Sequence, residues 1–212
     1  MTTQRRLLLL SLLLATLLPR ANAEPAGTPD TSVETIVFIR HGEKPPEDLG
    51  QLTFQGLNRA LALPEVLISK YGKADFIFAP CTTKLVHAGI PYSYVRPLIT
   101  IEPTAILLGL PIEAKFSYDD IGGLQKALSE PVYRSSVIFV AWEHRELDDL
   151  VKNMLGSFGA DPAIVPKWPG GDFDSIYVVR IRTQDGKRTA SFTHDYEGLN
   201  GESSRSPEPA RQ

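Results

Sequence analysis

Residues 35–45 read TIVFIRHGEKP. The stretch opens on β-branched and aromatic residues suited to a buried strand. It then passes without a break into Arg40, His41, Gly42, Glu43 and Lys44. A surface turn would account for the charge alone, whereas a reaction centre would account for an arginine, a histidine and a glycine delivered together to a strand end. A second stretch bears on the choice. SVIFVAW, residues 136–142, is the clearest continuous apolar strand in the chain, and it runs into Glu143, His144 and Arg145. Ligands of open α/β sheets bind at the carboxyl ends of the strands, so two parallel strands of this kind bring both imidazoles to one edge.

The rest of the pattern alternates in the same way. Thr53 to Lys70 has the spacing of a helix, with Leu57, Ala60, Leu61 and Leu67 as its apolar face, Thr53 as N-cap, Gly72 past its end and Pro64 as a kink. Asp75 to Ala79 is a short apolar strand ended by Pro80. Tyr94 to Leu108 is a helix containing Pro103, and Pro111 to Phe116 is a weak strand. Asp119 or Asp120 caps a helix running to about Ser129, and His144 to Leu155 is a charged amphipathic helix. A Pro/Gly-rich loop follows from Asp161 to Gly171. Ser175–Arg182 and Arg188–His194 form a hairpin around Asp185-Gly186. Strands alternating with helices predict an α/β three-layer sandwich, a mostly parallel central sheet flanked by helices.

Composition narrows the function. The chain has 212 residues, 42% hydrophobic and 22% charged, which fits one globular domain with a sizeable core. At the N-terminus Arg5 and Arg6 precede the apolar run Leu7–Leu18, and Ala21-Asn22-Ala23 supplies a small–x–small cleavage pattern, so residues 1–23 read as a signal peptide. A retained anchor is the alternative, but the apolar run is shorter than the ~20 residues a bilayer span needs. Export to a bacterial periplasm or the medium is the expected destination, with no stable membrane span after cleavage. Losing Arg5, Arg6 and Arg20 leaves 19 basic residues against 25 acidic and a net charge of −6. That balance argues against nucleic-acid partners, which need excess Lys and Arg. Residues 24–33 read as a flexible lead-in, 34–200 as the single domain and 201–212 as a loose polar tail. The one cysteine, Cys81, has no intramolecular partner and is expected as a small buried apolar residue. The oligomeric state is left open.

These segments resemble the histidine phosphatase superfamily, the phosphoglycerate mutase-like or RHG family. The likeness is carried by VFIRHGEK, by LTFQGLNRA (Leu52, Thr53, Gly56 and Ala60), by VRPLITIEPTA (Arg96, Thr100, Glu102, Pro103 and Ala105) and by VIFVAWEHREL, in that order. The resemblance implies that His41 is a nucleophile forming a phosphohistidine. Arg40 and Arg96 would offer fork-shaped donors to the phosphoryl oxygens, His144 would complete the clamp, and Gly42 would let the backbone approach the substrate. It calls for no metal or cofactor, and arginines beside both histidines repel cations. The partner is then a small phosphorylated substrate, and the activity that of an exported phosphomonoesterase. Alternatives are a catalytically weak phosphate- or polyanion-binding protein on the same fold, or a phosphoglycerate mutase-type phosphotransferase.

The sequence departs from the family pattern in two places. Ala79-Pro80 is followed by CTTKLVHAGIPYSYV (81–95) before Arg96, an insertion of roughly a dozen residues expected to form a surface lid or substrate-facing wall. It also leaves Lys84 as a rival cation to Arg96. For the general acid, Glu113, Asp119, Asp120, Glu43 and Glu143 all stay open, an uncertainty worth about 10²–10⁴-fold in rate. His87, His194 and Lys44 are read as surface or structural.

Overall fold

Every residue from Ile36 to Ile39 is fully buried, and that places their strand at the centre of the sheet. The structure, a computed structural model, describes residues 31–207; the signal-peptide reading and most of the lead-in lie outside the described residues. Successive side chains of a strand point to opposite faces. In β1 (Thr31–Arg40) Ile36 and Phe38 enter one core, and Val37 and Ile39 the other. In β6 (Val137–Trp142) Ile138, Val140 and Trp142 join the first core, and Phe139 and Ala141 the second.

Helices close both faces. α1 (Phe54–Tyr71) and α2 (Arg96–Leu108) cover one with Leu63, Leu67, Ile101 and Ala105. α3 (Ile121–Leu128) and α4 (His144–Ser157) cover the other with Leu124, Leu128, Leu147, Leu150 and Val151. The main sheet also contains β2 (Phe76–Phe78), β5 (Ile112–Glu113), β7 (Ser175–Gln184) and β8 (Lys187–Tyr196), in the order β5-β2-β6-β1-β7-β8. The first four strands in that order run parallel, β7 pairs antiparallel with β1, and β8 pairs antiparallel with β7. This is the expected three-layer sandwich.

The boundaries moved in several places. Residues 31–33, read as lead-in, extend β1, because β7 is long enough to pair with them: Thr31 lies opposite Gln184. Leu61, assigned to the apolar face of α1, is exposed, and that face is made instead by Gly56, Arg59, Ala60, Leu63, Pro64 and Leu67. Neither Pro64 nor Pro103 ends its helix. Cys81 is half-buried, not a core residue. The start of the tail rests on α1, where the Asn58 amide donates to the carbonyls of Ser203 (2.6 Å) and Arg205 (2.9 Å). The insertion is a two-stranded hairpin, β3 (Thr83–His87) and β4 (Ile90–Tyr94), so Tyr94 ends a strand and does not start a helix.

Candidate active site

β1 and β6 are neighbours in register, with Arg40 opposite Trp142, and the His41 amide extends the ladder by donating to the Trp142 carbonyl (3.1 Å). Their outgoing residues therefore emerge side by side. A cavity of about 360 Å³ sits at this edge, lined by Arg40, His41, Arg96 and His144, together with Lys44, Asp48, Leu85, Tyr92, Tyr94, Tyr118, Glu143, Arg145 and Glu146. The four side chains singled out from sequence thus meet in one cavity. Gly42 does not line it. A Cβ there would come within 2.9 Å of the Gly56 carbonyl oxygen, so its smallness serves the close approach of the RHG turn to α1.

His41 is 2% exposed, and its Nδ1 lies 2.8 Å from the Gly42 carbonyl. A carbonyl only accepts, so Nδ1 carries the proton and Nε2 is left with its lone pair. Burial, with smaller contributions from Arg40 and Arg96 against the Gly42 hydrogen bond, pushes the imidazole down to about 3. The free ring is therefore neutral at any ordinary pH, the state in which a nucleophile works. The unfolded imidazole binds a proton below about pH 6.5 and the folded one does not until about pH 3, so the fold loses stability as pH falls through that window. The loss is expected to be on the order of 2 kcal/mol between pH 7 and pH 4.5. Urea melts of wild type and His41→Gln at both pH values check it. The variant should show a shallower pH dependence, and equal slopes would refute the assignment.

Both arginines are buried and oriented. Arg40 donates through Nη1 to the carbonyls of Gly170 and Asp172 (both 2.8 Å), and its guanidinium lies 3.8 Å from the Phe173 ring centroid. Burial brings Arg40 down to about 10, still charged at neutral pH. The loop that grips it is pinned from α4 by Asp148, which accepts from the Trp168 amide (3.1 Å). Arg96 Nη1 reaches the Asp48 carbonyl and Oδ1, each at 2.9 Å, and its guanidinium stacks 4.7 Å from the Tyr94 ring centroid. Thr100 couples this helix to the Arg40-His41-Gly42 turn: its hydroxyl donates to the Arg96 carbonyl (2.8 Å) and accepts from the Gly42 amide (3.0 Å). Lys84, the rival cation, is exposed. Pairing Leu85 with Tyr92 and Thr83 with Tyr94 turns Leu85, Tyr92 and Tyr94 toward the cavity, and Lys84, opposite Ser93, to the other face.

Of the acid candidates only Glu143 lines the cavity. Glu113 pairs with exposed Lys115 (2.6 Å), Asp119 accepts from Ser117 (2.6 Å), and Asp120 caps α3 through the Gly123 amide (2.9 Å). Glu43 is held bidentately by Arg59. Burial pushes Glu143 up, but His144 and the amides of Glu146 and Arg145 outweigh it and bring the carboxyl down to about 2. It is therefore ionised in the resting site and has no proton to give. Lys44 is tied to Asp48 at 2.8 Å, His87 is exposed, and His194 shares a hydrogen bond with Ser175 (2.8 Å) away from the cavity. Tyr92, Tyr94 and Asp48 escaped the sequence reading. The Tyr-Ser-Tyr alternation just before Arg96 was the available signal for the first two.

Nine buried side-chain polar atoms lack a hydrogen-bond partner among the described residues, and four of them belong to this cavity: Arg40 Nε, Arg96 Nε, His144 Nδ1 and Tyr94 Oη. Of these, His144 Nδ1 lies 2.7 Å from Glu143 Oε1 and is engaged there, so the donors left free are Arg40 Nε, Arg96 Nε and Tyr94 Oη. Buried polar groups are normally paired, so unpaired donors on residues that line one cavity suit it to an anion.

The chain has a phosphoglycerate mutase-like fold. A phosphoglycerate mutase from Plasmodium falciparum matches at a TM-score of 0.51 and 12% identity, covering 85% of this chain and 97% of that one. Also similar are a mycobacterial glucosyl-3-phosphoglycerate phosphatase with inorganic phosphate (TM-score 0.48, 15% identity, 76% and 95% covered) and a phosphoserine phosphatase mutant from Entamoeba histolytica in complex with phosphoserine (0.46, 13%, 78% and 98%). No protein-family model and no curated protein matches the sequence.

Proposed function

We propose that the protein is a phosphomonoesterase that passes the phosphoryl group of its substrate through His41 Nε2. The observation that carries this reading is the cavity's set of unpaired buried donors around a neutral histidine with a free lone pair. Arg40, Arg96 and His144 hold the oxygens of the transferring group, where charge stabilisation supplies most of the catalysis. The Nε2–P bond forms as the P–O bond to the leaving group breaks. Water then attacks phosphorus, releasing inorganic phosphate and restoring the imidazole. The reading includes export, which the Leu7–Leu18 run and Ala21-Asn22-Ala23 support. Among the described residues no helix is long and apolar enough to cross a membrane.

One observation favours the weaker alternative of a phosphate-binding protein: of the five acid candidates read from sequence only Glu143 lines the cavity, and it is ionised. Glu146 also lines it, however, and burial pushes that carboxyl up. Phosphate esters with good leaving groups, which need little proton donation, separate the two readings. An aryl phosphate is expected to be turned over in the presence of a chelator, with alkyl phosphates slower by about 10²-fold or more. Rapid quenching should trap phosphate on the protein in an acid-labile, base-stable linkage. Aryl phosphate left intact, with phosphate binding retained, would establish the binding protein instead.

A further inference from the structure

Tyr94, the last residue of β4, lines the cavity beside Arg96 and His41. It is 2% exposed, and its buried hydroxyl donates to no acceptor among the described residues. Its one polar neighbour among them is the Arg96 guanidinium, which can only donate to the oxygen and leaves the O–H free. The ring is held on three sides: Arg96 stacks 4.7 Å from its centroid, His41 stands edge-on at 6.2 Å, and Tyr118 packs at 5.3 Å. An aromatic fixed this way does not swing its hydroxyl out to water, so the unpaired group is a built feature of the site. An apolar ring would fill the same volume without that cost.

The electrostatics say what the hydroxyl can do. Burial, together with Glu143, pushes the phenol above its ordinary range despite the opposing pull of Arg96 and Arg40. It is an O–H donor at any working pH, and a neutral one. The two arginines already spend Nη1 on protein carbonyls and on Asp48. A phosphoryl group in transfer spreads charge over three equatorial oxygens, and the Tyr94 O–H adds a neutral donor beside His41 to the charged ones of the arginines.

We propose that Tyr94 Oη is a catalytic hydrogen-bond donor to a phosphoryl oxygen during transfer to His41, a role that rests on the phosphatase reading. Tyr94 keeps its proton throughout: the Nε2–P bond forms, the P–O bond breaks, and the leaving oxygen takes its proton from water. The hydrogen bond strengthens as charge builds on the equatorial oxygens, so it contributes more in the transition state than in the bound substrate.

The test is Tyr94→Phe in the full chain, which removes the hydroxyl and keeps the ring on Arg96. On p-nitrophenyl phosphate, kcat/KM is expected to fall roughly tenfold to a hundredfold, mostly in kcat. Affinity for orthovanadate, which mimics the five-coordinate state, should fall more than affinity for inorganic phosphate, while the melting temperature holds or rises. Wild-type kcat/KM and vanadate inhibition in Tyr94→Phe would overturn the proposal, as would equal loss of both anions together with a lowered melting temperature. Calorimetry with the two anions is independent of turnover. If the wild type binds both but hydrolyses nothing, the phosphatase reading fails, and the vanadate-to-phosphate ratio still decides what the Tyr94 hydroxyl holds.

Discussion

His41→Ala is expected to lower turnover of an aryl phosphate by about 10⁴-fold or more, the scale of losing a covalent nucleophile, while inorganic phosphate still binds within about tenfold of wild type. The split follows from the division of labour in the cavity. Arg40 is fixed by the 169–173 loop, Arg96 by Asp48 and by Thr100, and His144 by its place at the start of α4. None of these depends on the imidazole, so the cradle survives its removal. The attacking atom, Nε2, does not. His41→Asn is the companion variant, since its amide can still donate toward the Gly42 carbonyl. Both should leave no acid-labile phosphate on the quenched protein. Turnover that persists in both variants would remove the phosphohistidine from the mechanism, and phosphate binding that vanishes with turnover would make His41 part of the cradle.

How far this site could be read from sequence depends on how far apart its parts lie along the chain. Arg40-His41 and His144 were legible because each follows a continuous apolar run, and the two runs pair directly as β1 and β6. Arg96 was legible through its helix pattern. Tyr94 was hidden because the 81–95 segment mixes Lys84, His87 and Pro91 into a hairpin whose alternation is short and broken. Asp48 was hidden because its partners, Lys44, Tyr92 and Arg96, come together only when the β1–α1 loop meets that hairpin. Arg59 was the least visible. A charged residue at the spacing of a buried helix face shows its reason only once carboxylates from the far end of the chain reach it, Glu197 being 138 positions away.

That arginine also accounts for Glu43, the acidic residue directly after the RHG turn. Arg59 is fully buried, and each of its nitrogens is engaged: Nε with Glu43 (3.0 Å), Nη2 with Glu43 (2.7 Å) and Asn200 (3.1 Å), and Nη1 with Glu197 (2.6 Å) and Asp174 (3.2 Å). One cation thus ties the RHG turn, α1 and the chain after β8 together. Three carboxylates around one guanidinium leave excess negative charge, and burial pushes the Glu197 carboxyl well above the usual carboxylate range against the pull of Arg59. Arg59→Met fits the space and removes the charge, leaving Glu43 and Asp174 without their cation. Breaking a buried ion network from one side costs about 3–5 kcal/mol, a large share of the ~5–15 kcal/mol a domain has in total. Urea denaturation should show that loss at pH 7. The deficit should shrink as pH falls toward 4.5, where the stranded carboxylates gain protons and need the arginine less. A variant that unfolds at the wild-type midpoint would mean that the network contributes nothing to stability. A deficit unchanged by pH would assign the loss to packing of the arginine stem and not to its charge.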